Sequence, residues 1–319
     1  MQINKKLVRH VDYMKKKFLY FFKKIYKNIC KIKEKKEFSV KEKNIREFYK
    51  NTKIKVMTID ETLDELHRGK SICRFGDGEM NIIIGGEIGF QGYDKNLAKR
   101  LKEILSACQE ECLVGIPDAL NTIENLTIES RRFWVSYLND NLSHWTKLLD
   151  EKCYANANMS RCYIRYDNKE KSGEWFGKLK SIWNDKDVVI IEGEMTKLGC
   201  GNDFLDNTSS IRRIICPAED AFSKYDQIYD FISNNIDKQA IIILALGPTA
   251  TVLAYDLALQ GYQALDLGHC DIEYCWYKMG TCEKVAVKGK YTNEVIGGNI
   301  SDNSLDNQVY LEQILVNIM

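Results

Sequence analysis

Residues 240–268 read AIIILALGPTATVLAYDLALQGYQALDLG and contain a complete strand–helix–strand pattern. An apolar run over 240–247 ends at a Gly-Pro pair, a helix is predicted from Pro248, and a second apolar run covers 262–268. Proline suits this position because it is well tolerated in the first turn of a helix. Since two apolar strands joined by a helix are typical of a parallel sheet covered on both faces, this stretch predicts a β-α-β unit.

The same alternation of apolar strands and amphipathic helices extends over most of the chain. Further strands are predicted at 71–76, 112–117, 187–193 and 211–217, and helices at 94–108, 124–150 and 219–236. We therefore predict an α/β fold, a Rossmann-like, mostly parallel sheet flanked by helices. Ligands of such sheets bind where the carboxyl ends of the strands meet, so the loops that follow the strands form the candidate site.

The first 55 residues differ in charge from the rest of the protein. They contain 19 Lys/Arg and 5 Asp/Glu, whereas the other residues contain 27 and 40. Apolar residues recur there at helical spacing, namely Leu7, Val11, Met14, Phe18, Phe21, Ile25 and Ile32. This pattern predicts a basic amphipathic helix, which either lies on an anionic membrane surface or packs against a helical partner or the body of the protein. The acidic remainder argues against a specific nucleic-acid partner, because phosphate backbones bind basic surfaces.

Cysteine spacing and hydropathy bear on the cellular compartment. None of the 11 cysteines belongs to a C-x-x-C pair, which favours free thiols in a reducing compartment over a zinc site. Lysines interrupt the first apolar cluster, and no run approaches the ~18–20 apolar residues that span a bilayer. We therefore expect a cytoplasmic protein, and the membrane interpretation of the basic helix would place it peripherally on the inner face of the plasma membrane.

An acidic pair follows the strand predicted at 71–76. Asp77 and Glu79 flank Gly78 in the sequence GDGE, with Arg74 shortly before them. Two carboxylates separated by one small residue can approach the same hard cation, and such a cation neutralises charge on a departing diphosphate. Two acids in a turn are also typical of an ordinary solvated loop, so the pair alone leaves both interpretations open.

Three later loops carry groups suited to a nucleotide. Thr196 and Lys197 could meet a phosphate, although their loop is neither a Walker sequence nor a dinucleotide fingerprint. Phe222 could stack on a nucleobase if its loop faces the cleft. Thr249 lies at the predicted start of a helix, where free backbone N–H groups attract phosphate. A plain strand-to-helix turn explains this last position equally well.

Three titratable residues, His269, Asp271 and Glu273, follow the strand predicted at 262–268. Each could complete a metal shell or act as the base that activates an acceptor hydroxyl. A single histidine is usually structural, but three titratable groups at the carboxyl end of a strand indicate a functional position. These residues are therefore the candidates for catalysis.

Several of these segments, taken in order, resemble the GT-D-type glycosyltransferases, a bacterial family first defined as a domain of unknown function. The matching stretches are RFGDGE (74–79), IEGEMTKLGCGNDF (191–204), RRIICPAEDAF (212–222), LALGPTATVLAYDLALQGYQALDLGH (244–269), DIEYCW (271–276) and GKYTNE (289–294). The resemblance covers residues 56–295. It leaves residues 1–55 as the basic segment and residues 296–319 as a helical tail.

The resemblance implies a Rossmann-like enzyme that binds a UDP-sugar, with glucose as the first donor to expect. It implies Mn²⁺ or Mg²⁺ held by Asp77 and Glu79, and transfer to a hydroxyl of a glycan, glycoprotein or lipid-linked acceptor. The family often has Arg where this chain has Lys197, and lysine lacks the bidentate fork of arginine. The implied nucleotide-sugar-binding residues are Arg74, Gly76, Gly78, Glu194, Thr196, Lys197, Pro217, Phe222, Gly247, Pro248 and Thr249.

Two other classes of protein could use the same residues. A metal-dependent phosphoesterase or nucleotidyltransferase would cleave its substrate without a sugar acceptor or would transfer the nucleotide. A non-catalytic nucleotide-sugar-binding scaffold, attached through the basic helix, would bind UDP without turnover.

Overall fold

A nine-stranded sheet organises the protein, and every described strand pair in it is parallel. The computed structural model describes residues 3–292, 294, 295, 298, 303–305 and 307–319, without the side chains of 3–19, 21, 22, 25, 28–30 and 303. The strands are β1 (Lys55–Val56), β2 (Ser71–Arg74), β3 (Cys112–Ile116), β4 (Cys153–Asn156), β5 (Asp187–Gly193), β6 (Ser210–Cys216), β7 (Ile241–Ala245), β8 (Gln263–Asp266) and β9 (Ile314–Asn317). Their order across the sheet is β1-β4-β3-β2-β8-β7-β5-β6-β9.

Helices flank this sheet, which confirms the predicted α/β fold. They are α1 (Ile3–Asn51), α2 (Ile59–His67), α3 (Asp77–Ile83), α4 (Lys95–Leu105), α5 (Ile128–Leu148), α6 (Lys169–Ile182), α7 (Tyr225–Asn235), α8 (Pro248–Leu259), α9 (Cys270–Met279) and α10 (Gln308–Gln313). Short 3-10 helices lie at Asp118–Leu120, Ala157–Ser160, Ala221–Lys224 and Asn303–Leu305. No helix in the described part of the chain is long and apolar enough to cross a membrane.

The β7-α8-β8 unit predicted from residues 240–268 lies at the centre of the core. Most residues of α8 are buried, because the helix contacts β2 and β8 and is itself covered by α4. β5 and β7 are buried along nearly their whole length, as expected for strands covered on both faces. The apolar runs in the sequence thus correspond to central strands.

Two segments that the sequence predicts as loops are helices. In α3, the Glu79 carboxylate accepts a 2.7 Å hydrogen bond from the backbone N–H of Gly76, and Met80 and Ile82 are buried. This single capping bond together with the apolar face starts a helix immediately after β2. Residues 270–276 of α9 are all buried, so the loop predicted after β8 is also helical. The acidic residues of both segments therefore lie in first helical turns.

The tail of residues 296–319 is only partly helical, which corrects the prediction of a helical tail. After α10, residues 314–317 form β9, which pairs in parallel with β6 at one edge of the sheet. Ile314 and Val316 are half-buried while Leu315 is exposed, and this alternation is that of an edge strand. The other edge is β1, which contains two residues. The sequence analysis predicted neither β1, β4 nor α6.

A helix was predicted for residues 1–50, and the structure confirms it as α1. Its last part docks on the body: the Tyr49 hydroxyl donates a 2.6 Å hydrogen bond to the carbonyl of Ala119, and Ile45 is buried. The side chains of Leu7, Val11, Met14, Phe18, Phe21 and Ile25, the predicted apolar stripe, lie outside the described residues. The last member of that stripe, Ile32, is 56% exposed and is not packed on the body.

Strands β2 and β8 lie side by side where the strand order reverses. β3 and β4 extend the sheet beyond β2, whereas β7, β5 and β6 extend it beyond β8. Connections that leave such a point in opposite directions open a crevice at the carboxyl ends of the strands. The fold therefore places residues 74–79 and 266–269 at the position where a ligand is expected.

Candidate functional site

A cavity of about 650 Å³ opens at the carboxyl ends of β2–β8, at the reversal between β2 and β8. One side follows β5, β6 and β7 and consists of small residues and one aromatic ring; we call Phe90, Gly193, Ala218, Ala245 and Gly247 the glycine wall. The other side follows β3 and β4 in the chain. We call its residues Glu129, Phe133, Trp134 and Arg165 the α5 wall.

Asp77 and Glu79 line this cavity in the first turn of α3. The side chain of Asp77 has no hydrogen-bond or ion-pair partner among the described residues, while Glu79 accepts the N–H of Gly76. Burial, with added repulsion from Asp266 and Asp77, raises the pKa of Glu79 to about 7. A cation beside these two carboxylates would offset that repulsion.

The acidic pair fits a cation that a substrate helps to hold. The described residues contain no group of three or more His, Cys, Asp or Glu arranged around a metal position. Carboxylate oxygens suit Mg²⁺ or Mn²⁺, and Mg²⁺ is commonly bound by one or two carboxylates together with phosphates and water. Asp77 and Glu79 are therefore the residues that could hold such an ion against a diphosphate.

Arg74 lines the cavity and joins the two central strands. Its Nη2 lies 2.9 Å from Oδ1 of Asp266, and its backbone N–H donates to Oδ2 of the same residue at 3.1 Å. Gly268 makes room for this pair, because a Cβ at that position would lie 2.4 Å from Nη2 of Arg74. Much of the hydrogen-bonding capacity of Arg74 is thus used to hold β2 to β8.

The structure brings part of the predicted nucleotide-sugar site together. Arg74, Gly76, Gly78, Thr196, Pro217 and Gly247 line the cavity with the acidic pair. The other predicted members, Glu194, Lys197, Phe222, Pro248 and Thr249, are not among its lining residues. Glu194 is exposed, Lys197 and Thr249 are buried, and the ring of Phe222 packs 5.4 Å from that of Tyr225.

Phe90 is the aromatic ring that the cavity presents where the sequence analysis nominated Phe222. It lies at the tip of a glycine-rich turn in which Ile88 and Gln91 form an isolated antiparallel bridge. Gly247 has a φ of +53°, and a Cβ there would lie 2.4 Å from the Phe90 ring. The signal that could have found Phe90 is the sequence GGEIGFQG at 85–92, since closely spaced glycines mark a turn.

Of the three residues predicted to activate an acceptor, only His269 lines the cavity. Asp271 is buried, forms an ion pair with Lys290 and accepts a 2.7 Å hydrogen bond from Asn202. Glu273 is also buried and accepts the backbone N–H groups of residues 163 and 164 at 3.2 and 2.9 Å. Both carboxylates thus bind groups inside the protein, although the buried Oε1 of Glu273 has no hydrogen-bond partner among the described residues.

His269 contacts two charged groups through Nδ1. This atom lies 3.0 Å from Nη2 of Arg161 and 3.5 Å from Oε1 of Glu294. Arginine has only donors, so at the shorter contact Nδ1 accepts, and the neutral ring then carries its proton on Nε2. This shorter contact therefore favours the tautomer in which Nε2–H can donate a hydrogen bond.

A cationic cluster that the sequence analysis did not nominate also lines the cavity. Arg161 forms an ion pair with Glu294, and Nζ of Lys284 lies 2.6 Å from the other oxygen of that carboxylate. Burial alone would raise the pKa of Glu294, but the charges of Arg161 and Lys284 lower it well below its ordinary value. Arg165 lies on the same side of the cavity without such a carboxylate among the described residues.

The known proteins that resemble this chain are described as glycosyltransferases. A family model, the glycosyltransferase GT-D fold, matches residues 72–295. The chain is 38% identical over 270 residues to a probable glycosyl transferase, Gly, of Streptococcus gordonii, which covers 83% of this chain and 39% of that protein. It is 37% identical over 273 residues to the glycosyltransferase GlyD of Streptococcus pneumoniae, over 83% of this chain and 33% of that protein. The chain thus spans between a third and two fifths of the length of these curated relatives.

Solved structures agree with this comparison. A structure described as a new glycosyltransferase from Streptococcus sanguinis shares 39% identity with a TM-score of 0.79, covering 83% of this chain and 100% of that one. A structure described as a highly conserved domain of unknown function with a distinct glycosyltransferase fold shares 36% identity with a TM-score of 0.81. That match covers 88% of this chain and 100% of the other.

Proposed function

Because the chain belongs to the GT-D glycosyltransferase family, we propose that it transfers a sugar from a UDP-sugar, with glucose as the first donor to test, to an acceptor hydroxyl. The acceptor is a glycan, a glycoprotein or a lipid-linked oligosaccharide. The observation that carries the proposal is the position of Asp77 and Glu79, two carboxylates at the mouth of β2 in the cavity at the strand-order reversal. The phosphates of the substrate and the two carboxylates are all negatively charged, so a cation is needed between them.

In this proposal Asp77 and Glu79 hold Mn²⁺ or Mg²⁺, and the ion supplies charge neutralisation for the departing diphosphate. Asp77 has no competing partner among the described residues, and Glu79 uses one oxygen to cap α3. The pair can therefore bind an ion without breaking an internal ion pair. The capping bond fixes the position of Glu79 before the substrate arrives, so little order is lost on binding.

The glycine wall suits the nucleoside half of the donor. Gly193, Ala218, Ala245 and Gly247 expose backbone instead of bulky side chains, so a flat ligand can approach the ends of β5, β6 and β7. Phe90 offers a ring face on which uracil would stack. Helix α8 begins directly after Gly247, and the positive end of its dipole lies at that edge.

His269 then serves as a hydrogen-bond donor to a substrate oxygen. Arg161 holds the ring from one side, with its Nη2 3.0 Å from Nδ1. This arrangement orients the imidazole, and Nε2–H is left to bind a sugar hydroxyl or a phosphate oxygen. His269→Gln, which keeps an amide donor, should therefore retain more activity than His269→Ala.

The experiment that tests the proposal measures UDP release from UDP-glucose with Mn²⁺ and with EDTA, and binding of UDP by thermal shift. We expect Asp77→Asn and Glu79→Gln to lower turnover by about two to three orders of magnitude, the scale seen when a group that stabilises transition-state charge is removed. Asp226→Asn is the matched control, because Asp226 also lies in the first turn of a helix but is exposed and outside the cavity.

Unchanged turnover in both variants would refute the metal role. UDP-glucose cleavage that ignores every acceptor would favour a phosphoesterase, and tight UDP binding without any turnover would favour a scaffold.

The basic segment of residues 1–55 is proposed to carry the protein to a second surface, either an anionic membrane or a helical partner. Its net positive charge supports both, and the part of α1 before residue 38 is exposed wherever its side chains are described. Co-sedimentation with anionic vesicles, with and without residues 1–37, separates them: equal pelleting of the two forms would remove the membrane interpretation.

A further inference from the structure

The α5 wall is a built surface that the proposed donor site leaves unused. It combines the start of α5 with the segment that follows β4, and the two are joined by a 2.9 Å hydrogen bond from the N–H of Thr127 to the carbonyl of Arg165. In the sheet, β3 and β4 lie on one side of the acidic pair, and the strands of the glycine wall lie on the other. A donor bound along the glycine wall therefore leaves the α5 wall open to a second substrate.

Arg165 carries an uncompensated charge on this wall. Among the described residues its guanidinium has no ion pair and no hydrogen-bond acceptor, and its Nε is buried. Burial, followed by repulsion from Arg161, lowers the pKa of Arg165, whereas attraction to Glu294, Glu273 and Asp77 opposes this only partly. Arg161, in contrast, is compensated inside the protein by Glu294. Arg165 is partly exposed to the cavity, and a guanidinium whose buried Nε has no internal acceptor favours an oxyanion beside it.

Trp134 adds a second unpaired donor to the same wall. It is 1% exposed, it lines the cavity, and its Nε1 has no acceptor among the described residues. The guanidinium carbon of Arg165 lies 5.8 Å from the Trp134 ring. Two donors close together without acceptors indicate a ligand with several oxygens, since buried N–H groups are nearly always paired.

Phe133 supplies an apolar face next to these donors. It is 45% exposed and lines the cavity, so its ring is open to a ligand. Its ring is fixed by edge contact with Trp134 at 5.3 Å and by stacking on Tyr137 at 6.0 Å. A rigid aromatic face beside donors matches a sugar ring, which has an apolar C–H face and polar hydroxyl edges.

We propose that the α5 wall is the acceptor subsite and that the acceptor sugar carries an anionic group, a phosphate or a carboxylate, which binds Arg165. The sugar ring lies on Phe133, and Glu129 and Trp134 contact its hydroxyls. The two anions share the same oxyanion chemistry, which suits the planar fork of arginine. This assignment deepens the proposed function and rests on it, because it presupposes a donor on the opposite wall.

The test measures binding of three probes to the full chain saturated with UDP and Mn²⁺, so that the donor position is occupied. The probes are glucose 1-phosphate, glucuronate and glucose, followed by ligand-observed NMR. We expect at least one anionic probe to bind about tenfold more tightly than glucose, and the tighter of the two identifies the kind of anion. The preference should disappear in Arg165→Met and persist in weakened form in Arg165→Lys, which keeps the charge and removes the fork.

Arg132→Met is the matched control, because Arg132 lies on the same helix but is exposed and outside the cavity lining. It should leave the preference unchanged. Phe133→Ala should weaken all three probes by a similar factor, since the ring contacts the sugar and not the anion. If Arg165→Met does not fold, the comparison of wild type with Arg165→Lys still decides, because both carry the charge.

Three outcomes would overturn the assignment. The wild type could bind the three probes equally, Arg165→Lys could match the wild type for the anions, or Arg165→Met could weaken UDP itself as much as Asp77→Asn does. The last result would place Arg165 on the donor diphosphate. A wild type that binds no UDP with Mn²⁺ would overturn the proposed function and this inference together, whereas UDP binding without an anion preference would overturn the inference alone.

Discussion

The glycine wall and the α5 wall line one cavity but are built in different ways. The glycine wall consists of turns at the ends of buried strands, where backbone and small side chains line the cavity. The α5 wall consists of large side chains, Phe133, Trp134 and Arg165, carried by two segments that meet only in the folded protein. A backbone surface suits a constant ligand such as a nucleotide, whereas a side-chain surface can change with the acceptor.

Arg74 and Asp266 form an ion pair between the two walls, which we call the seam. A substitution at the seam is expected to have the largest effect. We expect Asp266→Ala to lower the free energy of unfolding by about 3–5 kcal/mol, because it leaves a half-buried guanidinium without its partner. Urea unfolding measures the change. Glu151→Ala is the control: its pair with Lys53 is exposed, with a side-chain exposure of 68% for the glutamate, and should contribute about 1 kcal/mol or less. A similar small loss for Asp266 would mean that the pair does not hold the seam.

The pH dependence of stability tests the negative charge that Glu79 carries next to Asp266 of the seam. The pKa of Glu79 is raised by burial and by Asp266 to about 7, so ionising it is less favourable in the folded than in the unfolded chain. The folded state is therefore destabilised as the pH rises from the ordinary value of 4.5 towards 7, and the penalty is complete above that. Without metal, wild type should lose roughly 2 kcal/mol relative to Glu79→Gln between pH 5 and pH 8.

Urea unfolding of both proteins in EDTA at the two pH values gives this difference. Added Mn²⁺ should reduce it at pH 8, because the ion stabilises the charged form. Parallel pH profiles for the two proteins would show that Glu79 ionises normally and that the seam has no excess of negative charge.

The smallest expected effect distinguishes the walls directly. Phe90→Ala should weaken UDP binding about tenfold, because stacking of a base on an aromatic ring contributes roughly 1–3 kcal/mol. Phe133→Ala, the corresponding change on the α5 wall, should leave the affinity for UDP unaltered. Calorimetric titration with UDP and Mn²⁺ compares them, and an equal loss in both variants would erase the distinction between a donor wall and an acceptor wall.

The same difference explains how far the sequence predicts this protein. Central strands and their turns were found because burial on both faces leaves continuous apolar runs, and Thr196, Pro217 and Gly247 follow such runs. The acidic pair was found for the same reason, although the helix that carries it was not. The capping bond between Glu79 and Gly76 depends on a backbone geometry that cannot be recognised from two acidic residues in the sequence.

The α5 wall could not be found in this way. Its residues become neighbours through the contact between Thr127 and Arg165, which no periodicity signals. The burial of Asp271 and Glu273 could not be predicted for a related reason. Their partners, Lys290 and the backbone of residues 163 and 164, lie elsewhere in the chain, so carboxylates that face a cavity and carboxylates bonded inside the protein look alike in the sequence.

The two outermost strands of the sheet are short, which affects how readily another chain can pair with its edges. A wide sheet of parallel strands normally offers its margins as templates on which other chains can extend a ladder. Here one margin is β1, with two residues, and the other is β9, with four. Strands this short offer another chain few unpaired backbone groups, which limits edge-to-edge pairing at both margins.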